Sequence, residues 1–443
     1  MAARPAAAAA PRPPATPDAP AARPTFPGVP ATASGDQLAW VLDALVKRHG
    51  AVTRAEVDAH FHPLFLDQIA PDKLLAFFAQ MGGQLTAVAL GEVHGDANGL
   101  AAAATIDGEK FQIVLAIDPA SRQITTLAFR PDNTPRLKSF DEALRTIATL
   151  APRAQLLVAA LDKTGCHPLQ ELATTDELAI GSTFKLYVLL ALADRIAAGK
   201  AKWTDEIAIR DEWKSLPSGT TQNEPPGKKL TLATLAERMI SISDNTAADH
   251  LLYTLGRKEV EATVRAAQHA RPALDAPFLS TRELFVLKLG QPDELDRYLK
   301  LSESRRRDYL DKTLADKYPK LAASGEWTTA RRVDKLEWFA SSDDLCRTMA
   351  ALWTRAQDPR TKAVLDMLSK NPGPALDKAV WTYVGYKGGS EPGVLNTTYL
   401  LRRSDDRWFV VTAGFNAAEG TALDDRQLLT VISGVIELLG SRS

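Results

Sequence analysis

The chain has 443 residues, with 53 Lys plus Arg against 54 Asp plus Glu and a net charge of -1, so the basic excess of a nucleic-acid footprint is missing. With 45% hydrophobic and 24% charged residues the composition is globular, and the length calls for two or three domains rather than one core. The most apolar stretch, Leu186 to Ala193, is less than half the roughly 20 residues that cross a bilayer, so no transmembrane helix is expected. The two cysteines, Cys166 and Cys346, sit in unlike surroundings without metal-type spacing. Neither a disulfide framework nor a structural zinc site is expected, and no residue pattern calls for a metal or cofactor.

Residues 1–35 form an Ala/Pro-rich tail, and Pro11, Pro13 and Pro14 interrupt the apolar run that a secretory signal needs. The expected compartment is periplasmic or secreted if a signal precedes this sequence, and cytoplasmic otherwise. A first domain, 36–132, opens with a helix on Leu38, Val41, Leu42 and Leu45, then a capping box at Thr53 and Glu56, then a helix starting at Pro71. Four strands follow: Gln84 to Val93, Leu100 to Ile106, Lys110 to Asp118 and Gln123 to Arg130. Asp118 reads as a turn residue. This order, helices and then an antiparallel meander, predicts a small α+β unit.

A Pro/polar connector leads to the second domain, 139–443, whose first helix is capped at Ser139. A hairpin over Gln155 to Leu161 and Pro168 to Ala173 precedes a helical body that runs to about Arg355. Strand texture returns at Trp381 to Tyr386, Leu395 to Arg402 and Arg407 to Phe415, before a last helix over Arg426 to Leu439. An antiparallel sheet made from both ends of the domain, with helices between, is the expected architecture.

Three motifs carry chemistry. In Ser182-Thr183-Phe184-Lys185 the i, i+3 spacing lets the lysine amine reach the serine hydroxyl, although a cation in the first helical turn opposes the macrodipole. Desolvation near that positive end lowers the proton affinity of Lys185, so its neutral form can take the proton of Ser182 and arm a nucleophile. Ser243-Asp244-Asn245 joins two helices and offers a hydroxyl and a carboxamide on one loop. Lys387-Gly388-Gly389-Ser390 ends a strand whose missing side chains let a substrate backbone lie along its edge, with the Ser390 N–H facing that of Ser182. Read singly, the three motifs are a helix cap, a second cap and a bulge.

Taken together, SxxK, SDN and Lys-Gly-Gly resemble the penicillin-binding-protein and class A β-lactamase superfamily, over about Ser139 to Ser443. The resemblance implies a β-lactamase/transpeptidase-like fold. It implies Ser182 as acylated nucleophile, Lys185 as its base, Ser243 as proton shuttle, Asn245 as a substrate contact and Lys387 as partner of the substrate carboxylate. Gly388, Gly389 and Ser390 would border the substrate. The family's Lys-Thr-Gly hydroxyl is absent here, with Ser390 as a partial replacement.

No counterpart of the class A deacylating glutamate is evident. Glu283 is the nearest candidate, in a Ser280-Thr281-Arg282-Glu283 capping box. The first domain resembles the cone-shaped nuclear-transport-factor-2 and steroid-isomerase group. Its placement before a lactamase-like domain is similar to the serine hydrolases of clavulanic acid biosynthesis and to a group of bacterial lipoproteins. These likenesses imply an acyl-enzyme with a β-lactam, ester or peptide-like amide and weak or narrow turnover. The alternatives are a penicillin-binding, DD-peptidase-like enzyme and a non-catalytic binding protein that keeps the fold.

Overall fold

The computed structural model describes residues 26–441 apart from 68, 96, 132–136, 216–217, 291, 315–326 and 374–375. The Ala/Pro-rich tail and part of the charge-rich stretch before Lys335 therefore lie outside the described residues. The chain divides into two compact units, Met1–Asn133 and Thr134–Ser443.

In the first unit, α1 (Ala33–Leu42), α2 (Arg54–His60), α3 (Pro63–Leu66) and α4 (Pro71–Gln84) precede a four-stranded antiparallel meander. Its strands are β1 (Val88–Gly95), β2 (Gly99–Ile106), β3 (Glu109–Ile117) and β4 (Ile124–Pro131). The capping box at Thr53 and Glu56 forms as the spacing predicts. Helix α4 runs on through Gln84, so the first strand starts at Val88 and not at Gln84. Leu38, Val41, Leu42, Val57, Phe61 and Phe78 pack on Leu100, Ala102, Ile113 and Leu115 to make one core. Asp118 is a turn residue, accepting from the Ala120 and Ser121 N–H groups at 3.0 and 2.6 Å.

The second unit begins with α5 (Phe140–Leu150), β5 (Arg153–Asp162), β6 (Gly165–Leu172) and the short β7 (Leu178–Ala179). The body contains α6 (Lys185–Ala197), β8 (Glu206–Ala208), β9 (Lys229–Thr231), α7 (Leu232–Ser241), α8 (Asn245–Leu255) and α9 (Arg257–Ala266). It continues through α10 (Thr281–Leu289), α11 (Pro292–Leu299), α12 (Glu303–Tyr309), β10 (Phe339–Ala340), α13 (Ser342–Arg355) and α14 (Ala363–Ser369). Strands β11 (Trp381–Glu391), β12 (Val394–Arg403) and β13 (Trp408–Asn416) and helix α15 (Asp425–Gly440) complete it.

The five-stranded antiparallel sheet has the order β11-β12-β13-β5-β6, so the C-terminal strands return beside the early hairpin and β11 forms an edge. Alternation along the strands serves two cores. Leu156, Val158, Val411 and Ala413 face α5 and α15, through Phe140, Ile147, Leu428 and Ile432. Leu157, Ala159, Leu400 and Val410 face the helical body, at whose centre every residue of α6 from Leu186 to Ala193 is buried. That burial on all sides explains the unbroken apolar run: it is the central helix of the core, and no helix among the described residues is long and apolar enough to cross a membrane.

One expectation is overturned. Cys166 on β6 and Cys346 on α13 form a disulfide, with Cα atoms 6.4 Å apart. The partners are 180 residues apart in sequence. Only the packing of α13 across the sheet brings them together, which local cysteine spacing does not encode.

Candidate active site

The chain turns sharply into α6. Gly181 to Phe184 form a single 3-10 turn, and Gly181 takes φ +48, which its lack of a Cβ permits. The N-cap of α6 is Phe184, without a side-chain cap, so Ser182 does not cap this helix, contrary to the cap reading of the motif. Lys185 is the first residue of α6 and is 0% exposed. Its Nζ lies 3.0 Å from Ser182 Oγ, 3.2 Å from Ser243 Oγ, 2.6 Å from the Ser243 carbonyl and 2.7 Å from Asn245 Oδ1.

The second motif divides its labour. Asp244 is a helix cap, accepting from the Ala247 N–H at 2.8 Å, and its other oxygen accepts from the Thr220 and Thr221 N–H groups at 2.8 Å each. The neighbours on either side turn inward. Ser243 adopts φ +55, a left-handed conformation that costs a non-glycine residue about 1–3 kcal/mol. With Asp244 clamped, that twist sends both the carbonyl and the hydroxyl of Ser243 to Lys185.

The third motif supplies the facing wall. Lys387 is 3% exposed, and its Nζ donates to Ser243 Oγ at 3.0 Å and to the Gly388 carbonyl. Gly388 and Gly389 pair regularly with Thr397 and Asn396, so they mark no bulge; the strand's irregularity lies at Trp381 to Tyr383. A Cβ at Gly389 would stand 2.0 Å from the Ile180 carbonyl oxygen and 2.6 Å from the Ser182 amide nitrogen. Gly389 is thus needed where the β11 edge meets the nucleophile turn, and the Ser390 amide lies alongside, 3.2 Å from the Cβ position of Gly181. The Ser390 side chain is exposed.

Two buried amines share the Ser243 hydroxyl. Burial pulls Lys185 down to about 7, opposed by the negative charges of Asp244 and Asp249. Burial also drives Lys387 well below the usual lysine range, and the neighbouring Lys185 adds to the shift.

Glu283 is not brought to this cluster. Its carboxylate closes the capping box with Ser280 and forms a two-point pair with Arg257, at 3.0 and 2.7 Å. Asp249 is the residue that reading the sequence missed. Fully buried, it receives the N–H groups of Thr281 and Arg282 at 2.7 and 2.9 Å and the Thr281 hydroxyl at 2.8 Å, anchoring the start of α10 to α8. Burial raises its carboxyl to about 7 against those hydrogen bonds. The signal was present: Asp249 lies four residues beyond Asn245, on the same helix face.

A family model described as the beta-lactamase enzyme family matches residues 140–436, and one described as ORF 12 gene product N-terminal matches residues 29–122. No curated protein matches the chain. Similar solved structures include the β-lactamase of Sphaerobacter thermophilus, 19% identical, covering 68% of this chain and 97% of that one with a TM-score of 0.47. The β-lactamase of Desulfarculus baarsii is also 19% identical, with the same coverage and a TM-score of 0.48. PBP-A is 15% identical, with 68% and 96% covered and a TM-score of 0.45. With the family model spanning the whole sheet and helical body, the chain belongs to the β-lactamase enzyme family, whose fold is that of a serine hydrolase.

Proposed function

We propose that the protein acylates itself on Ser182 with a β-lactam, an ester or a peptide-like amide, and releases the acyl group slowly. The observation that carries this reading is the 3.0 Å approach of the buried Lys185 Nζ to Ser182 Oγ. A neutral amine has two N–H donors and one lone pair. The Ser243 carbonyl and Asn245 Oδ1 accept the two N–H bonds, which leaves the lone pair for a hydroxyl.

In acylation the Ser182 proton passes to Lys185 as the serine oxygen bonds to the acyl carbon. The Ser182 and Ser390 N–H groups hold the resulting oxyanion. Collapse breaks the acyl C–N or C–O bond, and the leaving atom takes a proton through Ser243, which sits between Lys185 and Lys387. Lys387 supplies the positive field for a substrate carboxylate, and Asn245 borders the substrate's acyl side chain. Gly388 and Gly389 keep the strand edge open to it.

A second reading, penicillin-binding and DD-peptidase-like, is favoured by one observation: the Glu283 carboxylate is spent on Arg257 and on the capping box, which leaves it unable to activate water. Intact-mass measurement after penicillin or activated-ester treatment, beside Ser182→Ala, tests the proposal. A wild-type adduct that the variant lacks is the expected result. The reading fails if Ser182 stays unmodified by both reagents with no product formed.

A further inference from the structure

We propose that Lys288 is a positioning residue for acylation: by gripping Glu391 on one side and Glu337 on the other, its ammonium sets the spacing between the Ser390 and Ser182 amides. The role rests on the reading of Ser182 as the acylated nucleophile.

Lys288, on α10, has a completely buried side chain that contacts both carboxylates. Glu337 is equally buried and the Glu391 side chain is 6% exposed. Burial, reinforced by Glu337, holds the Glu391 carboxyl well above the usual carboxylate range. Burial works against the Lys288 charge, but the two carboxylates outweigh it and keep the ammonium above its normal range. Such a cluster stabilises a fold little compared with apolar residues of the same volume, so its placement calls for another explanation.

Placement supplies it. Glu391 directly follows Ser390 at the end of β11. Glu337 directly precedes Trp338, whose carbonyl accepts the Ile180 N–H at 3.0 Å, two residues ahead of Ser182. The Trp338 ring also stacks on Phe184 of the nucleophile turn, with centroids 3.8 Å apart and planes 17° from parallel. The two grips of Lys288 thus reach the two walls of the site: Glu391 adjoins Ser390, and Glu337 reaches the Ser182 turn through Trp338. Those walls meet at Gly389, where the clearance is below that of one methyl group. Lys288 itself is rooted by Leu284 and Leu287, which lie in the main core. It touches no reacting atom; it acts through the backbone on either side. Pre-organised donors must be held to within about 0.5 Å, and a misplacement of about 1 Å costs on the order of 100-fold in rate.

The test compares wild type, Lys288→Met, Glu391→Ala and Glu391→Gln. Glu391→Ala releases β11 and leaves the Lys288–Glu337 pair balanced, so it folds even where Lys288→Met does not. Acylation of Ser182 by penicillin or an activated ester is expected to slow by about 10- to 100-fold in Glu391→Ala. Glu391→Gln, which keeps an oxygen for the ammonium, recovers most of that loss. Crystal structures should show the Ser182 and Ser390 amide nitrogens moved by about 0.5 Å or more in the alanine variant. Unchanged acylation in Glu391→Ala, or an unchanged amide separation, overturns the proposal. If wild type forms no adduct, the acyl-enzyme reading fails, and the amide separation still decides whether Lys288 sets it.

Discussion

Lys185 Nζ and Asn245 Oδ1 stand 2.7 Å apart inside the protein, and the contact fixes how the amine is turned. With that N–H and the one given to the Ser243 carbonyl committed, a neutral Lys185 has only its lone pair left for Ser182. The pH dependence follows from burial, which pulls Lys185 to about 7. Below that pH the amine is protonated and has no lone pair to offer; above it, the base is ready. The acylation rate should rise about tenfold per pH unit below 7 and level off above it. Stopped-flow acylation by an activated ester measures this, and Lys185→Gln should lose the limb together with most of the rate. A pH-independent rate between 5 and 8 would remove Lys185 as the base.

Asp249 tunes the same limb. Its charge, with that of Asp244, holds Lys185 up against burial. Asp249→Asn removes the charge that the carboxyl, itself raised to about 7, carries at and above that pH, so the Lys185 pKa falls further and the limb moves to lower pH. The asparagine also turns an NH2 toward an N–H of Thr281 or Arg282, costing about 1–3 kcal/mol in stability. A limb displaced to higher pH in the variant would contradict the assigned sign.

Gly389→Ala tests the meeting of the two walls. The added methyl would stand 2.0 Å from the Ile180 oxygen and 2.6 Å from the Ser182 nitrogen, both backbone atoms that cannot swing aside. Strand β11 must retreat, at a cost of about 1–3 kcal/mol, and the oxyanion donors separate. Acylation should fall by on the order of 100-fold with a much smaller loss in Tm-derived stability. A variant that acylates as fast as wild type would mean the Ser390 and Ser182 amides do not work as a pair.

The site also shows what the sequence could reveal. Ser182, Lys185, Ser243 and Lys387 were legible because the spacing within each motif is local: one helical turn, one loop, one strand end. The joining of the three motifs was legible only through the resemblance, since nothing local requires Ser243 to meet Lys387 at 3.0 Å. Strands and capped helices followed from alternation and cap residues, as at Thr53 and Ser139. Lys288 with Glu337 and Glu391 was hidden because charged residues normally mark a solvated face, and their burial depends on tertiary packing. The Cys166–Cys346 bond was hidden for the same reason.

That disulfide ties β6 to α13 across a long loop. Closing such a loop typically contributes about 2–4 kcal/mol, chiefly by restricting the unfolded chain. Reduction, or Cys346→Ser, should therefore lower Tm while leaving the acylation rate unchanged, because neither cysteine touches the Ser182 cluster. Thiol titration of the denatured, unreduced protein should find no free thiol. Finding two would show that the bond does not form in the protein as produced.

Glu283 separates a structural carboxylate from a catalytic one. It forms a two-point pair with Arg257 in which the side chains are 8% and 14% exposed, so removing its charge strands a nearly buried guanidinium. Glu283→Gln keeps an oxygen for the Ser280 capping box, and the change isolates the lost charge. The expected outcome is a loss of about 3 kcal/mol or more in stability, read from denaturant unfolding, with the lifetime of the penicilloyl adduct unaltered. A deacylating base behaves in the opposite way, since its amide variant would lengthen the adduct's life by at least about 100-fold at little cost to folding. Following adduct decay by mass alongside the unfolding curve places Glu283 in one class or the other, and a long-lived adduct on a stable variant would return it to the catalytic machinery.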